Sequence, residues 1–225
     1  MSEIPSIAVL CSGGGSNLQV LLDKARSGEL PGRIGFVAGN NSKAQSLARA
    51  RAAGVPTYHV STATEGSQEG VGKRLSALIQ DHHVDFLVLA GYMRPLPAEV
   101  LALLPQRVVN VHPALLPAFG GQGMFGQHVH EAVLRRGAQW SGVTVHLVSE
   151  DYDEGPILWQ RIVAVHPGDT SEILARRVLA VEHDTLWKVM RAFCQKRVTI
   201  SGKSVHVQGG WDESCCVPVR SGQLR

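Results

Sequence analysis

The chain has 225 residues, of which 44% are hydrophobic and 18% charged, and a net charge of +3, which suits one globular domain with the core of a doubly wound sheet and requires no second domain. Lys and Arg are scattered with no run of five like charges, so no nucleic-acid or membrane surface is indicated, while a small anionic substrate stays open. No window approaches the roughly eighteen apolar residues of a membrane span, no export signal opens the chain, and Cys11, Cys194, Cys215 and Cys216 form neither a disulfide framework nor a C-x-x-C pair, as expected of a reduced cytoplasmic protein with free thiols.

Ile7 to Cys11 is a continuous apolar run of the kind buried on both faces of a parallel sheet, and a helical pattern over Leu18 to Ala25 follows. Between them, Ser12-Gly13-Gly14-Gly15-Ser16-Asn17 is a glycine-rich turn into a helix start, where bare N–H groups and the positive dipole end suit a phosphate. Tight strand-to-helix turns need glycine for steric reasons too, so this loop is a weak signal by itself. It still excludes: there is no Gly-Lys-Ser/Thr ending of a nucleoside-triphosphate loop, and Leu18 stands where a dinucleotide fingerprint has its third glycine. The second strand, Ile34 to Gly39, ends in Asn40-Asn41 with no acid for a ribose, which argues against a nicotinamide dehydrogenase.

A helix over Lys43 to Ala53, a short strand near Thr57 to Val60, a polar loop from Ser61 to Gly70 and a helix over Val71 to Gln80 come next. His82 and His83 are adjacent, would face different ways on a helix, and read as surface residues. Phe86 to Ala90 is the clearest buried strand. Tyr92-Met93-Arg94-Pro95-Leu96 leaves its C-terminal edge, and a helix near Ala98 to Leu104 follows.

Arg107 to Val111 then reads as a β-branched strand ended by Pro113. Side chains two apart on a strand share a side, so Asn110 and His112 emerge together at the C-terminal edge, where open α/β sheets bind ligands. An amide NH2 beside a protonatable imidazole can hold a carbonyl oxygen that becomes an oxyanion and can deliver a proton to a leaving nitrogen, which is the chemistry of acyl transfer. The bland alternative makes Asn110 a turn cap and His112 a packing residue.

Residues 118–126 contain four glycines and read as a mobile or tightly turning loop beside that edge. His128 and His130 form an H-x-H pair, but Val129 to Arg136 looks helical and would send the imidazoles apart, against a metal site. In the strand Ser141 to Val148, alternation puts Val143, Val145 and Leu147 in the core and leaves Thr144, His146 and Val148 on the other face, so His146 joins His112 as a cleft candidate. Ser149 to Gly155 is an acidic loop. A strand over Ile157 to Val165, a helix from Glu172 to about Lys196, and a hairpin of Arg197 to Ile200 with Ser204 to Val207 complete a domain of residues 1–207, with 208–225 as a tail. The expected architecture is a single-domain α/β fold with a mostly parallel, helix-flanked sheet and a C-terminal hairpin.

Asn110-Val111-His112-Pro113-Ala114-Leu115-Leu116-Pro117, His146 and Asp153-Glu154-Gly155-Pro156-Ile157 together resemble the folate-dependent formyltransferases, within them most closely the enzymes that formylate glycinamide ribonucleotide in de novo purine synthesis. The likeness runs from about Ile7 to at least Trp211. It implies a Rossmann-like formyltransferase fold, 10-formyltetrahydrofolate as co-substrate, no metal, and small molecules as partners, with a homodimer possible. By the same resemblance Asn110, His112 and Asp153 are catalytic and His146 supports them, Gly15, Ser16 and Asn17 take the substrate's phosphate, Met93, Arg94, Pro95, Leu96 and Asn110 contact folate, and Glu182 holds the substrate's amine or ribose. Asp153 beside His112 is expected to raise the imidazole pKa and keep it cationic. Two positions depart from the family: Gln68 stands where an arginine is common, with Lys73 or Arg74 as replacements, and Leu179 replaces a polar residue of some relatives. The hydrolase of formyltetrahydrofolate, the methionyl-tRNA formyltransferase and a non-catalytic nucleotide-binding module are the alternatives.

Overall fold

Apolar runs without alternation become the inner strands of one sheet, because both of their faces are covered. The computed structural model describes residues 4–211. Its first half runs β1 (Ser6–Cys11), α1 (Ser16–Arg26), β2 (Arg33–Gly39), α2 (Gln45–Ala52), β3 (Thr57–His59), α3 (Thr62–Glu65), α4 (Gln68–Asp81), β4 (Phe86–Leu89) and α5 (Ala98–Leu103). The second half runs β5 (Val108–His112), α6 (Gln127–Arg135), β6 (Trp140–Leu147), β7 (Ile157–Ala164), α7 (Ser171–Cys194) and the hairpin β8 (Val198–Ser201) and β9 (Ser204–Val207).

The seven-stranded sheet has the order β3-β2-β1-β4-β5-β6-β7. The strands from β3 across to β5 pair in parallel, and β6 and β7 add antiparallel pairings at one side. Period two along β1 divides its side chains between two cores: Ile7 and Val9 pack with Leu18 and Leu21 of α1 and Val178 and Val189 of α7, while Ala8 and Leu10 pack with Leu75 and Leu78 of α4 and Val100 of α5. From β1 the chain builds outward through β2 and β3 and then returns to β4 on the other side, so the strand order reverses between β1 and β4. That switch point opens a crevice at the C-terminal ends of the strands.

The fold carries the expected single α/β domain, mostly parallel sheet and terminal hairpin, and differs in three places. The stretch 61–70 is not a plain loop: Ser61 caps α3 in a reciprocal capping box with Thr64, and Ser67 caps α4 through Gly70 N, so two serine caps in succession start helices where polarity alone suggested a loop. His82 is not a free surface residue, since its Nε2 lies 2.8 Å from the Tyr58 hydroxyl and its ring packs on Phe36. β6 does not have one bare face, because both sides of it are covered and Thr144 is fully buried. Of the tail, residues 208–211 are described, and Trp211 stacks on Trp159 of β7 with centroids 4.9 Å apart and planes 6° from parallel, a contact worth about 1 kcal/mol beyond area burial. The rest of the tail, with Cys215 and Cys216, lies outside the described residues.

Candidate active site

Register builds the centre of the site. β5 and β6 pair antiparallel with Asn110 opposite His146 and His112 opposite Thr144, so the two polar residues of β5 meet the two polar residues of β6 on the same face. His146 Nδ1 donates to the Leu147 carbonyl at 2.8 Å, which leaves its Nε2 as an acceptor. Asn110 Nδ2 lies 3.0 Å from that Nε2, so the Asn110 amide must turn its NH2 group toward His146 and its oxygen away. One hydrogen of the NH2 remains for a ligand. The His146 contact thus fixes which end of Asn110 is left for other partners.

Thr144 fixes the chain that leaves β5. Its hydroxyl donates to the Ala114 carbonyl at 2.7 Å and accepts from Leu116 N at 3.0 Å, so the Pro113–Pro117 turn is pinned to the sheet from below. The chain then returns to His112: Phe119 adopts φ +57, a left-handed conformation that is unfavourable for an aromatic residue, and its carbonyl accepts from His112 Nε2 at 2.8 Å. Gly120 follows because a Cβ there would run into Leu116 Cδ2 and stand 3.3 Å from Asp153 Cβ.

Asp153, also left-handed at φ +59, closes the cluster. Its Oδ2 accepts from Gly121 N at 2.9 Å and lies 3.7 Å from His112 Nδ1, and its Oδ1 lies 3.5 Å from His146 Nε2. Burial opposes the Asp153 carboxylate, but the neighbouring imidazoles of His146 and His112 in their charged forms, together with the Gly121 amide, outweigh burial and hold its pKa below the usual carboxylate value. His112 goes the other way from the expectation. It is 3% exposed, and burial, assisted by His146, pushes its pKa below 6.5 despite the opposing influence of Asp153 and the Phe119 carbonyl. The resting imidazole is therefore neutral, with its proton on Nε2 toward Phe119 and a bare Nδ1 facing Asp153.

The glycine loop is held by the fold as well as open to a ligand. Gly15 has φ +72, and a Cβ on it would stand 2.6 Å from Ser46 Cβ, whereas Gly13 and Gly14 face open space. No side chain caps α1, so the N–H groups of its first turn are free for an anion. The Asn17 side chain is turned elsewhere: its Nδ2 donates to Glu182 Oε2 at 2.6 Å. Glu182 is 8% exposed, and burial raises its pKa against the lowering effect of Asn17.

These groups share one cavity of about 830 Å³. The α1 loop and Glu182 line one part of it, Asn110, His112 and Asp153 another, and the segment Met93 to Leu96 a third, together with the glycines of the 121–126 loop. Leu179 lies in the wall. Gln68 is on the first turn of α4, where its Nε2 donates to the Pro95 carbonyl at 3.1 Å, so it braces the 93–96 segment. Of the two replacement cations, Lys73 pairs with Glu69 at 2.6 Å and Arg74 lies over the Tyr58 ring. α6 separates its two histidines: His128 is exposed and His130 is 5% exposed in the cavity wall. His130 escaped the sequence reading because its H-x-H spacing drew attention to metal. Its place three residues before Val133, on the edge of the buried stripe of α6, is the signal that marks it.

A sequence profile described as formyl transferase matches residues 6–190. The chloroplastic phosphoribosylglycinamide formyltransferase of Arabidopsis thaliana is 40% identical over 193 residues, 85% of this chain and 66% of that protein. The phosphoribosylglycinamide formyltransferase of Escherichia coli K12 is 32% identical over 204 residues, 91% of this chain and 94% of its relative. The crystal structure of glycinamide ribonucleotide transformylase 1 from Symbiobacterium toebii superposes with a TM-score of 0.87 at 39% identity, covering 92% of this chain and 96% of that one. With the profile spanning most of the chain and the Escherichia coli relative covered over nearly its whole length, the chain belongs to the formyl transferase family.

Proposed function

We infer that the protein transfers the formyl group of 10-formyltetrahydrofolate to the amine of glycinamide ribonucleotide, a step of de novo purine biosynthesis. The observation that carries this reading is the meeting of Asn110, His112 and Asp153 in the same cavity as the uncapped start of α1. An acceptor that bears a phosphate at one end and an amine at the other spans those two parts, and the 93–96 segment is left for the folate.

The residues divide the chemistry between them. The neutral amine attacks the formyl carbon, and the carbonyl electron pair moves onto oxygen, where the free N–H of Asn110 stabilises it. Bare Nδ1 of His112 takes the proton that the attacking nitrogen loses. The imidazolium so formed lies between the Phe119 carbonyl and Asp153. When the carbon–nitrogen bond to folate breaks, its electron pair goes to the folate nitrogen, and the proton on His112 Nδ1 follows it. One proton is relayed, and the product is the formylated amine.

The cytoplasm is the compartment of this reading. Cys11 and Cys194 are free, and burial pushes both thiols up to about 12, so both are inert packing groups. A homodimer is tested by sedimentation equilibrium across concentration. The test of function is folate absorbance with formyl donor alone, with glycinamide ribonucleotide, and with initiator methionyl-tRNA. Turnover only with the ribonucleotide is expected, and equal turnover with water or faster turnover with the tRNA overturns the assignment.

A further inference from the structure

His130 takes no part in the proton relay just described, yet it is built into the cavity. It is 5% exposed on α6 and forms part of the wall. Its Nδ1 is buried with no hydrogen-bond partner among the described residues, while Nε2 is not closed off in that way and is the nitrogen left to the cavity. A buried N–H without an acceptor is rarer than an unfilled lone pair, so the single proton of the neutral ring belongs on Nε2. Burial and the neighbouring His112 both disfavour the charged ring, and charging it would add an N–H to the orphaned Nδ1. The cavity therefore presents a neutral donor whose acceptor has to come from a ligand.

Which ligand oxygen it meets follows from its neighbours. On the functional reading above, on which this inference rests, the phosphate lies at α1 and the formyl carbon by Asn110 and His112, and of the two roles that the family resemblance leaves to Glu182 the ribose is the one that fits between them. His130 shares its face of the sheet with α1 and α7 and lies close enough to His112 for one ring to feel the other's charge. The amide that links the ribose to the attacking amine crosses that interval, and its carbonyl is an uncharged acceptor, whereas a phosphate would favour an imidazolium. We propose that His130 is a specificity-determining residue whose Nε2–H donates to the carbonyl oxygen of the glycinamide group and so sets the direction from which the amine approaches the formyl carbon.

The test pairs a side-chain change with a substrate change. His130→Phe removes the donor but keeps a ring, and His130→Gln restores a donor. Each is assayed with carbocyclic glycinamide ribonucleotide and with its counterpart in which the amide carbonyl is a methylene. The Phe variant should lose about tenfold in kcat/KM on the carbonyl substrate, the scale of one neutral hydrogen bond, and nothing on the methylene one. The Gln variant should recover most of that loss, and folate affinity should stay unchanged in both. Equal losses on the two substrates, or reduced folate affinity, make His130 a packing residue and overturn the proposal. Nitrogen NMR of the ligand-free wild type judges it without any variant: a ring protonated at Nδ1 overturns it, and one protonated at Nε2 supports it. A wild type inert toward the carbonyl substrate removes the functional reading itself, a result separate from either outcome at His130.

Discussion

Asp153→Asn separates a catalytic carboxylate from an acidic loop residue, because it removes the charge and nearly keeps the shape. Asp153 Oδ2 stands 3.7 Å from His112 Nδ1 in a site where the two side chains are 13% and 4% exposed. At an effective dielectric of about 20, unit charges at that distance attract by about 4 kcal/mol. Water at the cavity mouth and relaxation of the ring reduce that figure, and half of it, about 2 kcal/mol, is still a factor of about 30 in rate. The attraction exists only while His112 carries the relayed proton, so the loss falls on turnover and leaves the binding of both substrates in place. The variant should turn over about thirtyfold more slowly at neutral pH, with little change in either KM, and the His112 imidazole, followed by NMR, should become still harder to protonate. Asp151→Asn removes an equal charge from an exposed neighbour in the same loop and should change neither quantity. If the His112 titration is the same in the wild type and in Asp153→Asn, or if Asp151→Asn is the damaging change, Asp153 is not the partner of His112.

His112→Ala should lower turnover by at least about a hundredfold and, because the ring is 3% exposed, should also cost about 1–3 kcal/mol of stability in urea unfolding; an unaltered midpoint would show that the ring is not packed as described. Gly15→Ala places a methyl group 2.6 Å from Ser46 Cβ at φ +72, so its melting temperature should fall even without ligand, and a variant of wild-type stability with weak phosphate binding would reverse that reading. Glu182→Gln keeps an acceptor for Asn17 while removing a carboxylate that burial penalises. A carboxyl whose folded pKa is raised binds its proton more tightly in the native state, so that state loses stability as pH rises from the ordinary value of 4.5 toward the folded value. The melting temperature of Glu182→Gln should therefore gain on the wild type between pH 4 and pH 7 while affinity for the ribonucleotide falls, and a constant difference across that range would count against a buried, proton-retaining Glu182.

What could be read from the sequence was whatever depends on spacing within one element. Asn110 and His112 share a side because a strand repeats every two residues, and the Gly13 to Asn17 turn opens a helix because an apolar strand precedes it and an apolar stripe follows. The pairing of Asn110 with His146 depends instead on an antiparallel register across 36 positions, and the approach of Asp153 depends on left-handed backbone at two loop residues. Neither is a property of a local window: strand periodicity marked Asn110 and His146 one by one without pairing them, and the family resemblance named Asp153. The resting charge of His112 is harder still, because a nearby carboxylate and burial pull its pKa in opposite directions and only the folded protein sets how deeply the ring is buried. Sequence reasoning weighed the pair without the burial and arrived at a standing cation. The difference changes the mechanism as well as a number: a ring already protonated can only stabilise charge, whereas a neutral ring with Nε2 committed to Phe119 and Nδ1 free can receive the amine's proton and pass it to the folate nitrogen. The depth that makes the cation costly at rest also confines it to the interval in which Asp153 has something to stabilise.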